Sequence, residues 1–205
     1  MKGLVFFFMV FFCANSLTAQ DTLSYAYKIA QHREHYKADF LNDERSPLKE
    51  ADLPFLRFFD PDSTFAVEAD FTLTPEAQPF EMATYSGRVQ PYQTYGILTF
   101  TIHGEPQQLA VYRSLNLAKM PGFQDYLFLP FRDLTNGETT YGGGRYLDFK
   151  TTDIVDDKMI LDFNKCYNPW CHYSDGYNCP VPPKENHLEV EILAGERNFT
   201  GEKKH

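Results

Sequence analysis

Apolar and polar residues follow three different spacings along this chain. From Leu4 to Ala14 there is no spacing at all, only eleven consecutive apolar residues, LVFFFMVFFCA. From about Leu23 to Phe40, the residues Ala26, Ile29, Ala30, Arg33, Tyr36, Ala38 and Phe40 approximate one face at helical spacing. Asn42-Asp43 and then Ser46-Pro47 end that helix, because proline cannot continue it. Beyond the Pro-punctuated link from Pro47 to Pro61 the period drops to two. Phe65, Val67, Ala69 and Phe71 alternate with Ala66, Glu68 and Asp70, the pattern of a half-buried strand. Similar segments occur at Phe80–Val89, Tyr95–Ile102, Gln108–Tyr112, Tyr126–Leu129, Arg145–Phe149, Met159–Phe163 and Leu188–Leu193. His103-Gly104 reads as the turn of a hairpin.

About eight short strands without interleaved helices predict an all-β fold, an antiparallel barrel-like or sandwich domain with one N-terminal helix at about 23–40. The expected division is residues 1–19 as a signal peptide, 20–197 as a single β-rich domain and 198–205 as a flexible polar tail.

The signal reading rests on the N-terminus. Lys2 precedes an apolar run that is too short for a transmembrane helix, which needs about 20 residues. It suits the apolar core of a secretory signal, and Ala19 is a small residue placed for cleavage before Gln20. The chain is therefore expected to be exported, to a periplasmic or extracellular location, with no membrane contact beyond that segment. An oxidising compartment makes a disulfide the expected state of two among Cys166, Cys171 and Cys179. Cys171 with Cys179 is favoured because the intervening HYSDGYN can turn back on itself; Cys166 with Cys171 competes. The third thiol is expected to be a small buried hydrophobe.

Composition narrows the function. The 205 residues carry 19 Lys plus Arg against 28 Asp plus Glu, a net charge of -9. That balance argues against a nucleic-acid surface and against docking on anionic lipid. With 43% apolar and 23% charged residues the chain is ordinary globular material.

Polar residues concentrate between Pro130 and Asn168. Arg132, Asp133, Glu138, Tyr141, Arg145, Asp148, Asp162, Asn164, Tyr167 and Asn168 stand there beside strand-like apolar residues. Charges near a core must be paired, and two arginines among carboxylates satisfy one another through the planar guanidinium fork. Such a region suits either a polar pocket at a barrel mouth or an ion-pair network that fixes loops. Gly142-Gly143-Gly144-Arg145 matches neither dinucleotide-binding nor P-loop spacing and reads as a turn or bulge. His32 and His35 share a helix face but lack a third ligand. Cys171-His172 with Cys179 lacks the paired short spacings of a zinc site. No metal or other cofactor is expected. No GxSxG or SxxK nucleophile motif is present. For glycosidase or esterase chemistry a carboxylate pair would come from Glu138, Asp148 and Asp162. Tyr85, Tyr92, Tyr95, Tyr167, Tyr173 and Tyr177 are candidates for an aromatic groove, although strands and cores use such residues too.

The long blocks LFLPFRDLTNGETTYGGGRYLDF and LDFNKCYNPWCHYSDGYNCPVPPKENHL are supported by FLNDERSPL, RFFDPDSTFAVEADF and GILTFTIHGEPQQLAVYR. Together they resemble the domain-of-unknown-function family numbered 1684, from about His32 to Arg197. The resemblance implies no activity, since the family has none assigned. Its polar signature falls on Arg132, Asp133, Glu138, Thr139, Tyr141, Gly142, Gly144, Arg145 and Tyr146. It continues on Asp162, Asn164, Tyr167, Asn168, Cys171, Cys179, Pro180, Asn186 and Leu188. Cys166 stands where relatives tend to have a small residue such as alanine, and Trp170 where a second proline is usual.

The expectation is a non-enzymatic exported protein that binds a small polar or anionic ligand, or a partner such as an envelope protein. Its pocket would use Arg132, Asp133, Glu138, Tyr141, Arg145, Asp162, Asn164, Tyr167 and Asn168. The alternatives are a hydrolase with paired carboxylates and a structural protein in which the same residues only hold loops.

Overall fold

The computed structural model describes residues 14–205, with side chains from Ser24 onward. Most of the expected signal segment lies outside the described residues. Helix α1, Ala14–Asn42, is followed by seven strands. These are β1 (Ala66–Leu73), β2 (Phe80–Ala83), β3 (Val89–Ile102), β4 (Glu105–Ser114), β5 (Tyr126–Phe131), β6 (Arg145–Lys150) and β7 (Lys158–Asp162). All pair antiparallel in the order β6-β5-β4-β3-β1-β7, with β2 also on β3. Strand β3 is long enough to serve both: β2 lies along it from Phe80↔Tyr92 to Ala83↔Val89, and β1 from Asp70↔Thr99 to Leu73↔Gly96. The sheet curls into a half-barrel, and β6 and β7 remain as its two unjoined edges.

Period-two patterning decides which face turns inward. Phe71, Leu98, Phe100, Ile102, Leu109 and Val111 meet Leu127, Leu129, Phe131, Leu147 and Leu161 in one continuous core. The opposite face carries a second cluster around Tyr92, Tyr112, Phe128 and Tyr146. The hairpin between β3 and β4 is His103-Gly104, with φ of 51° and 85°, the left-handed pair that suits the twist of two antiparallel strands. Helix α1 turns Tyr25, Ile29, Arg33, Tyr36 and Phe40 toward the domain; Ile29 and Phe40 are buried, whereas Ala30 and Ala38 are exposed. Among the described residues no helix is long and apolar enough to cross a membrane.

Three expectations need correction. The segment from Phe80 to Val89 is not one strand: Thr84–Gly87 turn the chain between β2 and β3. Leu188–Leu193 is not a strand either. Its alternation is real, since Leu188, Ile192 and Ala194 all reach the core. Its backbone, however, bonds to loop atoms: Leu188 N to Arg132 O at 2.8 Å, and Ile192 N to the Asp133 carboxylate at 2.9 Å. Alternation reports burial of one face, and a loop that lines a core meets the same demand. The tail after Arg197 is also held: Asn198 N donates to Thr139 O, Thr200 N to Phe55 O and Lys204 N to Tyr173 O.

Candidate functional site

The densest expected cluster turns out to be a pin. Arg145 is wholly buried, and its Nη2 meets Asp133 Oδ1 at 2.9 Å. The same guanidinium donates to Ala194 O at 2.6 Å and Ile192 O at 2.9 Å. Asp133 Oδ2 accepts from Thr135 Oγ1 and Ile192 N. The pair thus clips the C-terminal segment onto β6. Arg132 donates to Gly142 O, and Gly144 N to Tyr141 O, so the glycine run is a turn held against Arg132. Tyr141 packs against His172 at a tilt of 43°, with centroids 4.4 Å apart. His172 Nε2 accepts from Phe199 N, and burial beside Lys203 pushes its pKa down to about 4. Glu138 is exposed on the loop. Asn164 bridges Asp62 and Asp162, while Asn168 bonds to Glu196 and Arg197. The anticipated single pocket is therefore divided among several structural contacts.

Concavity lies elsewhere, along the open seam of the half-barrel. Helix α1 crosses that seam, and the space between helix and edges is a cleft of about 1220 Å³. His32, His35, Tyr36, Asp39 and Phe40 line it from α1, and Leu147, Asp148 and Phe149 from β6. Ile160 and Asp162 come from β7, with Lys165, Tyr167 and Trp170 beyond it. Of the anticipated site residues, Asp162 and Tyr167 are brought here; Asp148, the third carboxylate considered, joins them.

Asp148 is the chemical centre of the cleft. Tyr126 donates to its Oδ1 at 2.7 Å and Tyr167 to its Oδ2 at 2.8 Å. By surface area the residue is exposed, yet protein atoms crowd around the carboxylate, and this desolvation raises its pKa against the lowering by both phenols. Burial, then the charge of Asp148, drives the Tyr126 and Tyr167 hydroxyls well above their usual range, so both remain protonated donors. Asp162 is more fully engaged. Its Oδ1 accepts from Tyr25 of α1 at 2.8 Å and from Asn164, and Lys165 stands 3.7 Å from Oδ2.

Charge on the lining is lopsided. Asp39, Asp43, Glu44, Asp148, Asp153 and Asp162 face Arg45 and Lys165. Arg45 is already paired with Asp43 at 3.0 Å. His32 is pushed toward neutrality by burial and by Lys165. Among the described residues, no three His, Cys, Asp or Glu side chains are grouped to hold a metal.

The expected tyrosine groove does not form, since its members scatter. Tyr92 and Tyr173 are buried, Tyr95 lies under Arg113, Tyr85 donates to Gly143 O and Tyr177 to Arg45 O. Only Tyr167 reaches the cleft. Tyr36, Phe40 and Trp170 supply the aromatic wall instead. Tyr36 and Phe40 were legible as helix-face residues, but nothing in the pattern linked that face to Asp148. Glu196 went unnoticed. It is wholly buried beneath α1, accepts from Tyr36, Tyr173 and Asn168 N, and burial raises its pKa to about 7. Cys171 and Cys179 form the disulfide, and Cys166 is the buried free thiol, its pKa raised to about 11 by burial.

Fold and cleft define a curled antiparallel half-barrel whose open seam is spanned by a helix. The family model described as a protein of unknown function, DUF1684, matches residues 52–197, and the chain belongs to that family. It is also similar to the solution NMR structure of an uncharacterized protein from Haloarcula marismortui. The two share 33% identity over 87% of this chain and 96% of the other, with a TM-score of 0.66. No curated protein sequence matches the chain.

Proposed function

We propose that this is an exported, non-enzymatic binding protein that takes a small polar ligand in the cleft between α1 and the two sheet edges. The observation that carries this reading is Asp148: a carboxylate oriented by two phenols at the wall of a cleft of about 1220 Å³. Ligand sites are commonly concave, partly apolar and supplied with a few fixed polar groups, and this cleft answers that description. Its surplus of carboxylates disfavours an anion. Export is supported by the apolar run from Leu4 to Ala14 and by the Cys171–Cys179 disulfide.

The test is native mass spectrometry of wild type and Asp148→Asn, each purified from its own exported fraction and then gently denatured. A mass excess on wild type that denaturation removes, and that Asp148→Asn reduces, is the expected result. A bare wild-type mass, with no thermal shift from a panel of polar small molecules, would overturn the reading.

A hydrolase is the second reading. Asp148 and Asp162 line one cleft, and Asp148 has the raised pKa that a general acid needs. Against it stands Asp162, whose carboxylate is occupied by Tyr25, Asn164 and Lys165. Turnover of chromogenic glycosides or esters by wild type, lost in Asp148→Asn, would replace the binding reading with this one.

A further inference from the structure

We infer that the cleft takes an organic ammonium ion: a protonated amine carried on a small, partly apolar body. This rests on the binding reading above and names its ligand class. Three observations converge on it.

The first is charge. Six carboxylate side chains line the cleft against two permanent cations, and each cation stands within ion-pair distance of one of those carboxylates. An entering anion would meet repulsion with no free guanidinium to receive it. An entering cation restores balance.

The second is the aromatic wall. Tyr167 lies 5.9 Å from Tyr36, Tyr36 lies 5.0 Å from Phe40, and Phe40 lies 6.5 Å from Trp170, centroid to centroid. Four rings thus follow one another along the cleft. Phe40 is buried and packs against Tyr36 and Trp170, while Tyr36, Tyr167 and Trp170 are half-buried; the faces of such rings carry negative electrostatic potential and attract an alkylammonium while covering its methylene groups. Aromatic faces beside carboxylates distinguish an organic cation from a bare metal ion, which asks instead for converging oxygen or nitrogen ligands, and no such trio is present among the described residues.

The third is the set of acceptors at Asp148. Each of its oxygens receives one phenol proton and keeps further lone pairs. A phenol that donates to the carboxylate still has its own oxygen as an acceptor. An ammonium N–H at this point finds acceptors only, the arrangement a cationic donor requires. The volume exceeds that of a lone amine, so the body beyond the nitrogen lies along the rings.

The experiment uses three probes that share one body: phenethylammonium, 2-phenylethanol and phenylacetate. Their binding to full-length wild type is measured by isothermal titration calorimetry, alongside the mass of anything released from the natively purified protein. The expected result is affinity for phenethylammonium at least tenfold above that for the alcohol, no detectable phenylacetate binding, and weakening of the ammonium complex by added salt. Asp148→Asn is expected to lower ammonium affinity about tenfold and leave the alcohol unchanged. Asp39→Asn, at an exposed position on α1 where folding is not at stake, is expected to lower it two- to threefold. A released ligand that contains a basic nitrogen supports the inference. Equal or tighter binding of the alcohol or the acid, or a released ligand without a basic nitrogen, overturns the ammonium class and leaves the binding reading standing. Absence of both probe binding and mass excess overturns the two together.

Discussion

Arg145 shows most directly how one side chain can hold a segment in place. Its guanidinium has no exposure, one carboxylate partner and carbonyl partners in Ile192 and Ala194. Removing it leaves Asp133 charged, buried and without its counterion, and breaking a buried pair this way costs about 3–5 kcal/mol. Arg145→Ala is expected to lose that much in urea unfolding, because the C-terminal segment comes free of β6. A loss below about 1 kcal/mol would mean the pair is not the clip described. Arg145→Lys keeps the charge but not the planar fork and is expected to recover only part of the loss. Sequence reasoning recognised that Arg132 and Arg145 could satisfy the carboxylates around them, without saying which would pair. It could not say that carbonyls 47 and 49 residues away would take donors from both terminal nitrogens of the guanidinium and bury it away from any cleft.

At the level of elements, the C-terminal segment and α1 are the parts that the seven strands leave undecided. The segment threads past the turn at Phe163–Cys166 only because Gly195 has no side chain. Its φ is +73°, and a Cβ there would come within 2.3 Å of Cys166 Sγ and 2.6 Å of Phe163 O. Both the left-handed backbone and the overlap penalise a side chain. Gly195→Ala is therefore expected to lower stability by about 2–4 kcal/mol, more than backbone strain alone, which runs to roughly 1–3 kcal/mol. Gly176→Ala is the control: its φ is +87° but a Cβ would face open space. Thermal unfolding of both variants checks the difference, and equal losses would remove the steric part of the argument. The strands themselves were legible, because Leu98, Phe100 and Ile102 alternate as a one-sided strand must. Leu188–Leu193 misled for the same reason, since the alternation records a buried face and not a neighbouring strand.

For the whole molecule, Glu196 ties its own C-terminal segment to two parts distant in sequence: α1 through Tyr36, and the stretch that holds Asn168 and Tyr173. Burial raises its pKa from about 4.5 to about 7, so the folded state holds this proton more tightly than the unfolded chain. Protonated Glu196 therefore stabilises the fold; the contribution is full below about pH 4.5 and lost as pH rises through about 7. The amount is on the order of 3 kcal/mol. His172 works in the opposite direction, its depressed pKa of about 4 withdrawing stability as pH falls below its usual value. The wild-type curve carries both, so the measurement is the difference in unfolding free energy between wild type and Glu196→Gln across pH 4.5 to 7. That difference is expected to shrink in wild type's disfavour as pH rises, and a pH-independent difference would sink the assignment. The sequence by itself determined the β-rich class, the N-terminal helix, the hairpin at His103-Gly104 and the family resemblance, because periodicity and motif are local. Only the tertiary structure decided that β6 and β7 stay unjoined, that α1 spans the seam, and that Asp148 meets Tyr126 and Tyr167 in a cleft also lined by the rings of α1. Those residues come together through the curl of the sheet, which depends on the summed packing of all its strands and on no short stretch of the chain.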